Sequence, residues 1–225
     1  MHKQLVVLFG IVAISSANAD NKNFEGPYLQ GALGYESVSG NVDSNVIRVT
    51  AGAGAGTYNV NTQVNSSNGL AEVAGMGYGF RFSPRVLMTV GAEYSLNNRD
   101  LSYSSTATGL IFRPSNITLS SRYSVYVAPG YEIDSSSVVY GKVGYTSSKV
   151  RVNDGSTDQT TLTGYILGAG YKKFFKDNIY GFAELNYIKF NSSTISGNGT
   201  TFTGTYSYNV GGNAYNTLVG VGYKF

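Results

Sequence analysis

Past residue 20 no apolar run approaches the roughly 20 residues that a helix needs to cross a bilayer, yet segments with every second residue apolar recur along the chain. A period of two is the mark of a β-strand with two unlike faces. Eight such segments are expected, at about 28–36, 69–82, 85–96, 118–133, 138–146, 161–174, 179–190 and 208–225. One face carries Leu29, Leu33, Met76, Phe80, Val86, Met88, Val90, Val125, Val127, Val139, Val143, Leu167, Leu185, Val219 and Val221, with no charge at membrane depth. The other carries Gly75, Gly77, Gly91, Gly144, Gly170 and Gly222 among Arg122, Ser124, Lys142, Glu184, Asn186 and Asn216.

An apolar face outside and a polar face inside is the reverse of a water-soluble barrel, which argues against a lipocalin-like carrier. In lipid every backbone donor and acceptor needs a partner, so strands can cross only as a closed barrel. The fold predicted is all-β, an eight-stranded antiparallel up-and-down transmembrane β-barrel. Connections at 83–84, 134–137 and 175–178 consist of turn residues and are read as periplasmic turns, whereas 37–68, 97–117, 147–160 and 191–207 are long, polar and read as external loops.

Tyrosine supplies a second marker. Falling strands place Tyr78, Tyr131, Tyr171 and Tyr223 after glycine near their lower ends, and rising strands place Tyr35, Tyr94, Tyr145 and Tyr187 near their upper ends. Two rings at opposite ends suit aromatic girdles, since the phenol ring prefers the apolar side of an interface and its hydroxyl the wet side.

The N-terminus reads as an export signal, with Lys3 before the apolar stretch 5–14 and Ala17-Asn18-Ala19 as an A-x-A cleavage site. The expected organisation is a cleaved signal peptide over 1–19 and one barrel domain over 20–225. There is no cysteine, and the one histidine, His2, leaves with the signal. The mature chain would therefore lack the commonest general base, thiol nucleophile and transition-metal ligands. No cofactor, no metal and no enzymatic activity are expected. A formal net charge of +3, falling to +2 without Lys3, is far from a nucleic-acid binder.

Several residues stand out within this frame. Glu93, Arg122, Lys142 and Glu184 point inward by parity, and opposite charges in a narrow lumen should pair into a network. Arg81, Glu132, Lys172 and Lys224 fall near the periplasmic rim, where solvated charge is sufficient. Pro129 cannot donate to a ladder, so a bulge is expected there. The run Ala51-Gly52-Ala53-Gly54-Ala55-Gly56 lacks the lysine and helix of a phosphate loop. It reads instead as the bend of a hairpin pairing 46–49 with 58–61.

At the C-terminus Thr217, Val219, Val221, Tyr223 and Phe225 alternate outward and end on an aromatic. This resembles the β-signal by which outer-membrane barrels are recognised for assembly. With the export signal and the Gly-Tyr repeats, the chain resembles the eight-stranded outer membrane β-barrel family, whose relatives include opacity-type, Ail/OmpX-type and OmpA-type barrels. The resemblance implies a place in the bacterial outer membrane, contact with its lipid and with the barrel assembly machinery, and no periplasmic domain after the last strand.

Two roles are expected from different classes. One is a cell-surface protein whose loops serve adhesion, surface interaction or envelope integrity, with a ligand or host partner meeting loops 37–68 and 97–117 and with Tyr103, Ile111, Phe112 and Arg113 as anchors. The alternative is a narrow, porin-like channel for ions or small solutes, its interior charges lining the path.

Overall fold

A computed structural model describes residues 24–52, 54–107, 110–111, 115–153, 157–198 and 203–225. It holds twelve strand segments rather than the eight expected: β1 (Gly26–Val49), β2 (Gly56–Asn59), β3 (Asn61–Val64), β4 (Ser67–Ser83), β5 (Val86–Ser95), β6 (Arg99–Ala107), β7 (Leu110–Ile111), β8 (Ser115–Asp134), β9 (Ser137–Asn153), β10 (Thr157–Lys176), β11 (Ile179–Asn198) and β12 (Gly204–Lys224). Eight of these, in the order β1-β4-β5-β8-β9-β10-β11-β12 and back to β1, pair antiparallel into a closed ring. The four short segments continue ring members upward. The path β2-β3 leads into β4 and pairs with β1 and β6, while β6 extends β5 along β8.

The ladder sets the shape of the wall. A path of paired residues from Gln30 through Gly75, Glu93, Ser124, Thr146, Gly164, Phe190 and Gly212 returns to β1 at Gly40, ten residues above its start. With ordinary strand spacings that stagger tilts the strands by about 40°, so each residue advances about 2.5 Å along the axis. Tyr165 and Phe175, both exposed, are then about 25 Å apart, the height of a lipid-facing band. β1 at its full length stands about 60 Å tall on the same arithmetic.

On β1 more than half of the strand rises above that band and the other ring members also continue past it, which corrects the reading of 37–68, 97–117, 147–160 and 191–207 as loops. Among the described residues these segments are mostly strand. The Ser/Thr/Asn-rich composition is that of strand faces in water. A hairpin forms around the Gly-Ala run, but its second arm is 56–59 and not the expected 58–61, with Val46 opposite Asn59 and Val49 opposite Gly56, and Gly52 takes the positive φ of 99° that the bend requires.

Within the band the wall is apolar outside except near its edges, where Lys173 is exposed two residues above Phe175 and Glu72 stands opposite Leu33 close to the upper tyrosines, so the expectation of no outward charge at membrane depth holds only for the middle of the band. Leu33, Leu185, Val219 and Val221 are more than half exposed, and Val90, Val125, Val127 and Val143 are also exposed. Above it the faces exchange character. Val38, Leu101, Ile117, Val150, Leu162, Phe190, Ile195 and Val210 are buried inside as one cluster, while Asn41, Asp43, Asp100, Lys149 and Arg151 face out. The polar-inside reading holds only at membrane depth.

Three bulges accompany the exchange, between Asp43 and Val46, Ser120 and Tyr123, and Phe190 and Ser193. An extra residue reverses which parity points inward. Arg122 and Ser124 point inward below the second bulge, and Ile117 does so above it. Ser121 at that bulge has a φ of 51°, an uncommon conformation for a residue with a side chain. Pro129, by contrast, sits at no bulge. Its register against β5 and β9 runs through unshifted, and the rungs opposite β9 at Ala128 and Pro129 are missing. Proline removes a donor without adding a residue, so it interrupts a ladder without kinking it.

Inward glycines make room for rings on neighbouring strands. A Cβ at Gly91 would lie 2.6 Å from the Tyr126 ring, one at Gly170 2.4 Å from Tyr140, and one at Gly222 2.2 Å from Tyr180.

Val127→Arg, placed in the middle of the lipid-facing band, is expected to cost about 2–4 kcal/mol of folding stability in vesicles, and Thr161→Arg, above the band, less than about 1 kcal/mol. Denaturant midpoints measured by circular dichroism check the pair, and equal costs would show that the band is misplaced.

Candidate functional site

The candidate site is the lumen, whose contents form successive layers. Near mid-band, Lys142 on β9 donates to both oxygens of Glu93 on β5 at 2.9 Å and to Glu184 on β11 at 2.5 Å. Glu184 also accepts from the Tyr140 hydroxyl at 2.9 Å and from Asn186 at 2.7 Å. All three charged groups are buried. The Tyr126 ring lies 4.7 Å from the Lys142 ammonium, so the cation is enclosed by two carboxylates and a π-face.

One level higher, Glu36 on β1 accepts from Arg122 on β8, from Arg99 on β6 at 3.3 Å and from Asn216 on β12 at 3.3 Å. Arg122 also reaches Ser95. The four expected interior charges thus fall into two separate groups. Lys142, Glu93 and Glu184 meet one another, whereas Arg122 meets Glu36. Glu36 and Arg99 were not singled out in the sequence. The parity of Tyr35 already turns Glu36 inward, but Arg99 stood in a segment read as loop. Asn216 links the levels, since it accepts from Asn186 at 2.9 Å while donating to Glu36. Above Glu36 the lumen is filled by the apolar cluster of Val38, Leu101, Ile117, Leu162 and Phe190.

Below the lysine triad the interior is aromatic. The Tyr28 and Tyr126 hydroxyls hydrogen-bond at 2.9 Å, and Tyr180 donates to Gln30 at 3.0 Å. Lys172 does not stand as a solvated rim charge, because its ammonium lies over the rings of Tyr180 at 4.3 Å and Tyr28 at 4.7 Å. Phe24, just before β1, packs edge-on against Phe174 with centroids 5.0 Å apart. A cavity of about 40 Å³ remains here, lined by Tyr28, Tyr140, Lys172 and Glu184 among others. At the lower rim Arg81 holds Glu132 at 2.6 and 2.7 Å and Glu25 at 2.7 Å. Arg81 and Glu132 are therefore bound charges too, not free ones. The fourth residue of that group, Lys224, also has an interaction partner.

Outside, Tyr35, Tyr94, Tyr145, Tyr78, Tyr131, Tyr171 and Tyr223 are exposed, and Tyr187 is half-buried. Tyr123, Tyr165 and Tyr215 join the upper ring. Tyr94 faces Tyr123 across β5 and β8, Tyr145 faces Tyr165, and Tyr187 faces Tyr215 with ring centroids 4.9 Å apart. Thr217, Val219, Val221 and Tyr223 on β12 and Phe225 just after it are all exposed, and the Phe225 amide donates to the Pro27 carbonyl at the start of β1.

Of the expected surface anchors, Phe112 and Arg113 lie outside the described residues, as do Ala17 and Ala19. Ile111 pairs its backbone with Thr106. Tyr103 packs against the inner apolar cluster, so it is not a displayed anchor. No group of three histidine, cysteine, aspartate or glutamate side chains suited to a metal ion occurs among the described residues.

The family model for the outer membrane protein beta-barrel domain matches residues 6–225. The outer membrane protein OprG of Pseudomonas aeruginosa superposes with a TM-score of 0.63 at 15% identity, over 92% of this chain and 99% of its own. Ail, the attachment invasion locus protein of Yersinia pestis, crystallised with the heparin analogue sucrose octasulfate, gives a TM-score of 0.42 at 14% identity over 89% and 99% of the two chains. The outer membrane protease OmpT of Escherichia coli gives 0.48 at 12% identity over 88% and 97%. No curated protein matches the sequence. The family model spans nearly the whole chain and OprG shares its architecture, so the protein is a bacterial outer membrane β-barrel and belongs to the outer membrane protein beta-barrel domain family.

Proposed function

We propose that this barrel is a closed scaffold that works through the surface it raises above the outer leaflet, in adhesion, surface interaction or envelope integrity, and does not conduct solute or catalyse a reaction. The observation that carries the reading is the filled lumen. Two levels of ion pairs at Lys142 and Glu36 lie beneath an apolar cluster in which Val150 and Ala214 have no exposure. An eight-stranded wall is only wide enough for its side chains to fill it. Water or ions would have to displace both the salt bridges and the hydrocarbon above them.

The displayed part is a collar built of paired strands above the lipid-facing band. Such a scaffold suits recognition, because presenting it costs little ordering on binding. A ligand or host partner would meet the segments 37–68 and 97–117 on their outer faces and tips. Within the same reading Glu93, Arg122, Lys142 and Glu184 serve as the plug. The tyrosine rings anchor the barrel at the two interfaces, Thr217 to Phe225 present the C-terminal strand to the assembly machinery, and cleavage at Ala17 and Ala19 frees the mature chain from its signal.

The runner-up role as a narrow channel is separated by conductance. Purified protein in a planar bilayer is expected to show no steady openings, and Lys142→Met is expected to stay silent because the apolar cluster remains. Steady openings that change size in Lys142→Met would establish a pore. The same substitution strands two buried carboxylates and is expected to cost about 3–5 kcal/mol in unfolding experiments. Surface display in a non-adherent bacterium tests the role directly. Attachment to cells or matrix proteins should fall when residues 50–55 and their flanking hairpin are trimmed at matched surface levels, and attachment that survives trimming would exclude that hairpin as the contact.

A further inference from the structure

The outer wall is not electrically uniform where it leaves the membrane. On the β9-β10-β11 side, Lys189 follows Tyr187 by two residues, and Lys149 and Arg151 follow Tyr145 by four and six. At about 2.5 Å of rise per residue these positions stand about 5, 10 and 15 Å above the tyrosine ring. Lys189 pairs across to Tyr165, Lys149 to Thr161, and Arg151 to Gln159. Lys149 and Arg151 are exposed and Lys189 is half-buried. Among the described residues none of the three has a carboxylate within ion-pair distance, and Arg151 is met only by the Gln159 side chain. Of the described outward acids, Asp43 and Asp100 stand in the collar on β1 and β6, and Glu72 lies on β4 at the level of the tyrosine ring opposite Leu33, all away from β9-β10-β11, with Arg48 as an exposed cation near the top of β1.

We propose that the β9-β10-β11 side of the collar is a docking surface for the phosphate groups of outer-leaflet lipid. Lys189 and Lys149 are its two contacts, and Arg151 extends the row outward. The headgroup layer above the hydrocarbon is roughly 5–8 Å deep. Lys189 stands in it, and a lysine stem can bend Lys149 down toward it along the exposed rings of Tyr145 and Tyr165. Apolar stems on tyrosine rings with ammonium groups in the polar layer form a site for a lipid-borne anion. A free anion would find the charges but not the anchored membrane surface that positions them. Asp43, Glu72 and Asp100 outnumber the exposed cation Arg48 on the opposite side and disfavour the same groups there, so the barrel holds bound lipid on one flank.

The test uses the full mature protein in detergent micelles, titrated with a phosphorylated glycolipid, the same glycolipid with its phosphates removed, or inorganic phosphate, and read by native mass spectrometry. Each cation near an anionic surface contributes about 1 kcal/mol, so Lys149→Gln/Lys189→Gln should weaken binding of the phosphorylated lipid roughly thirtyfold. Lys149→Arg/Lys189→Arg should retain it. Arg48→Gln, a charge loss near the hairpin bend, should leave it unchanged. The proposal fails if the double glutamine variant binds as the parent does, if the dephosphorylated lipid binds equally well, or if inorganic phosphate at matched concentration competes fully. Both glutamine substitutions lie on the outer wall, and a circular dichroism spectrum matching the parent's verifies folding before the titration is read.

Discussion

The structure depends first on a hydrogen-bonding constraint. A strand in hydrocarbon has no water to satisfy its amides and carbonyls, and leaving them unpaired costs several kcal/mol each. The only remedy for strands is to pair the last with the first, and β12 does so along almost all of β1, from Tyr28 opposite Lys224 to Val49 opposite Gly204. Once the ring is closed with eight members and a stagger of ten residues, its radius and tilt are fixed. Everything inside must then fit a narrow tube. The inward glycines and the rings that cover them are a consequence: Tyr28, Tyr126, Tyr140 and Tyr180 fill the lower lumen only because Gly77, Gly91, Gly170 and Gly222, each paired beside its tyrosine, leave the neighbouring strand bare.

The same closed wall passes through two solvents, and its two faces answer to each in turn. In lipid the outside must be apolar, and the inside can be charged only if each charge is paired, which Lys142, Glu93 and Glu184 achieve across three strands. In water the outside must be polar, and a tube then gains most by burying hydrocarbon within. The change happens near Glu36 and Arg122, where a ring of outward tyrosines meets the last buried ion pair and a bulge at Ser120–Tyr123 re-aims β8. An upper half shaped like a soluble barrel thus sits on a lower half shaped for lipid, with one continuous ladder joining them.

Legibility of the sequence followed this division. Through the band, lipid enforces strict alternation on every strand, so the outward valines and leucines, the inward glycines and the pairing partners of Lys142 could be read from parity alone. Above the band the solvent enforces no such rule. Bulges at Asp43–Val46 and Phe190–Ser193 reverse the phase mid-strand, so Ile47 and Ile195 point inward although the parity set lower down would turn them out. Serine, threonine and asparagine on the wet face then looked like loop. Arg99 was lost to the site for that reason. Lys172 was misjudged for another: a lysine held by rings on three other strands, Tyr28, Tyr140 and Tyr180, leaves no local mark, since none of them is near it in sequence.

A filled lumen also changes what selection for function can act on. In a pore the inner residues face the solute, and the outer ones need only be apolar. In the closed-scaffold reading proposed above, the inner residues serve to hold one packing of the wall. Replacing a buried ion pair by hydrocarbon of similar volume is often neutral or stabilising, so the Lys142 triad is not required for stability as such. It suits a lumen that stays polar while the chain threads and closes, because a hydrocarbon-filled interior would compete with the lipid-facing side for the membrane. The apolar cluster around Phe190 and Leu101 can form above the membrane, where water lies on the other face and no such competition exists. Charge inside at membrane depth and hydrocarbon inside above it are thus two answers to one demand, that the two faces of each strand never be interchangeable in the solvent they meet.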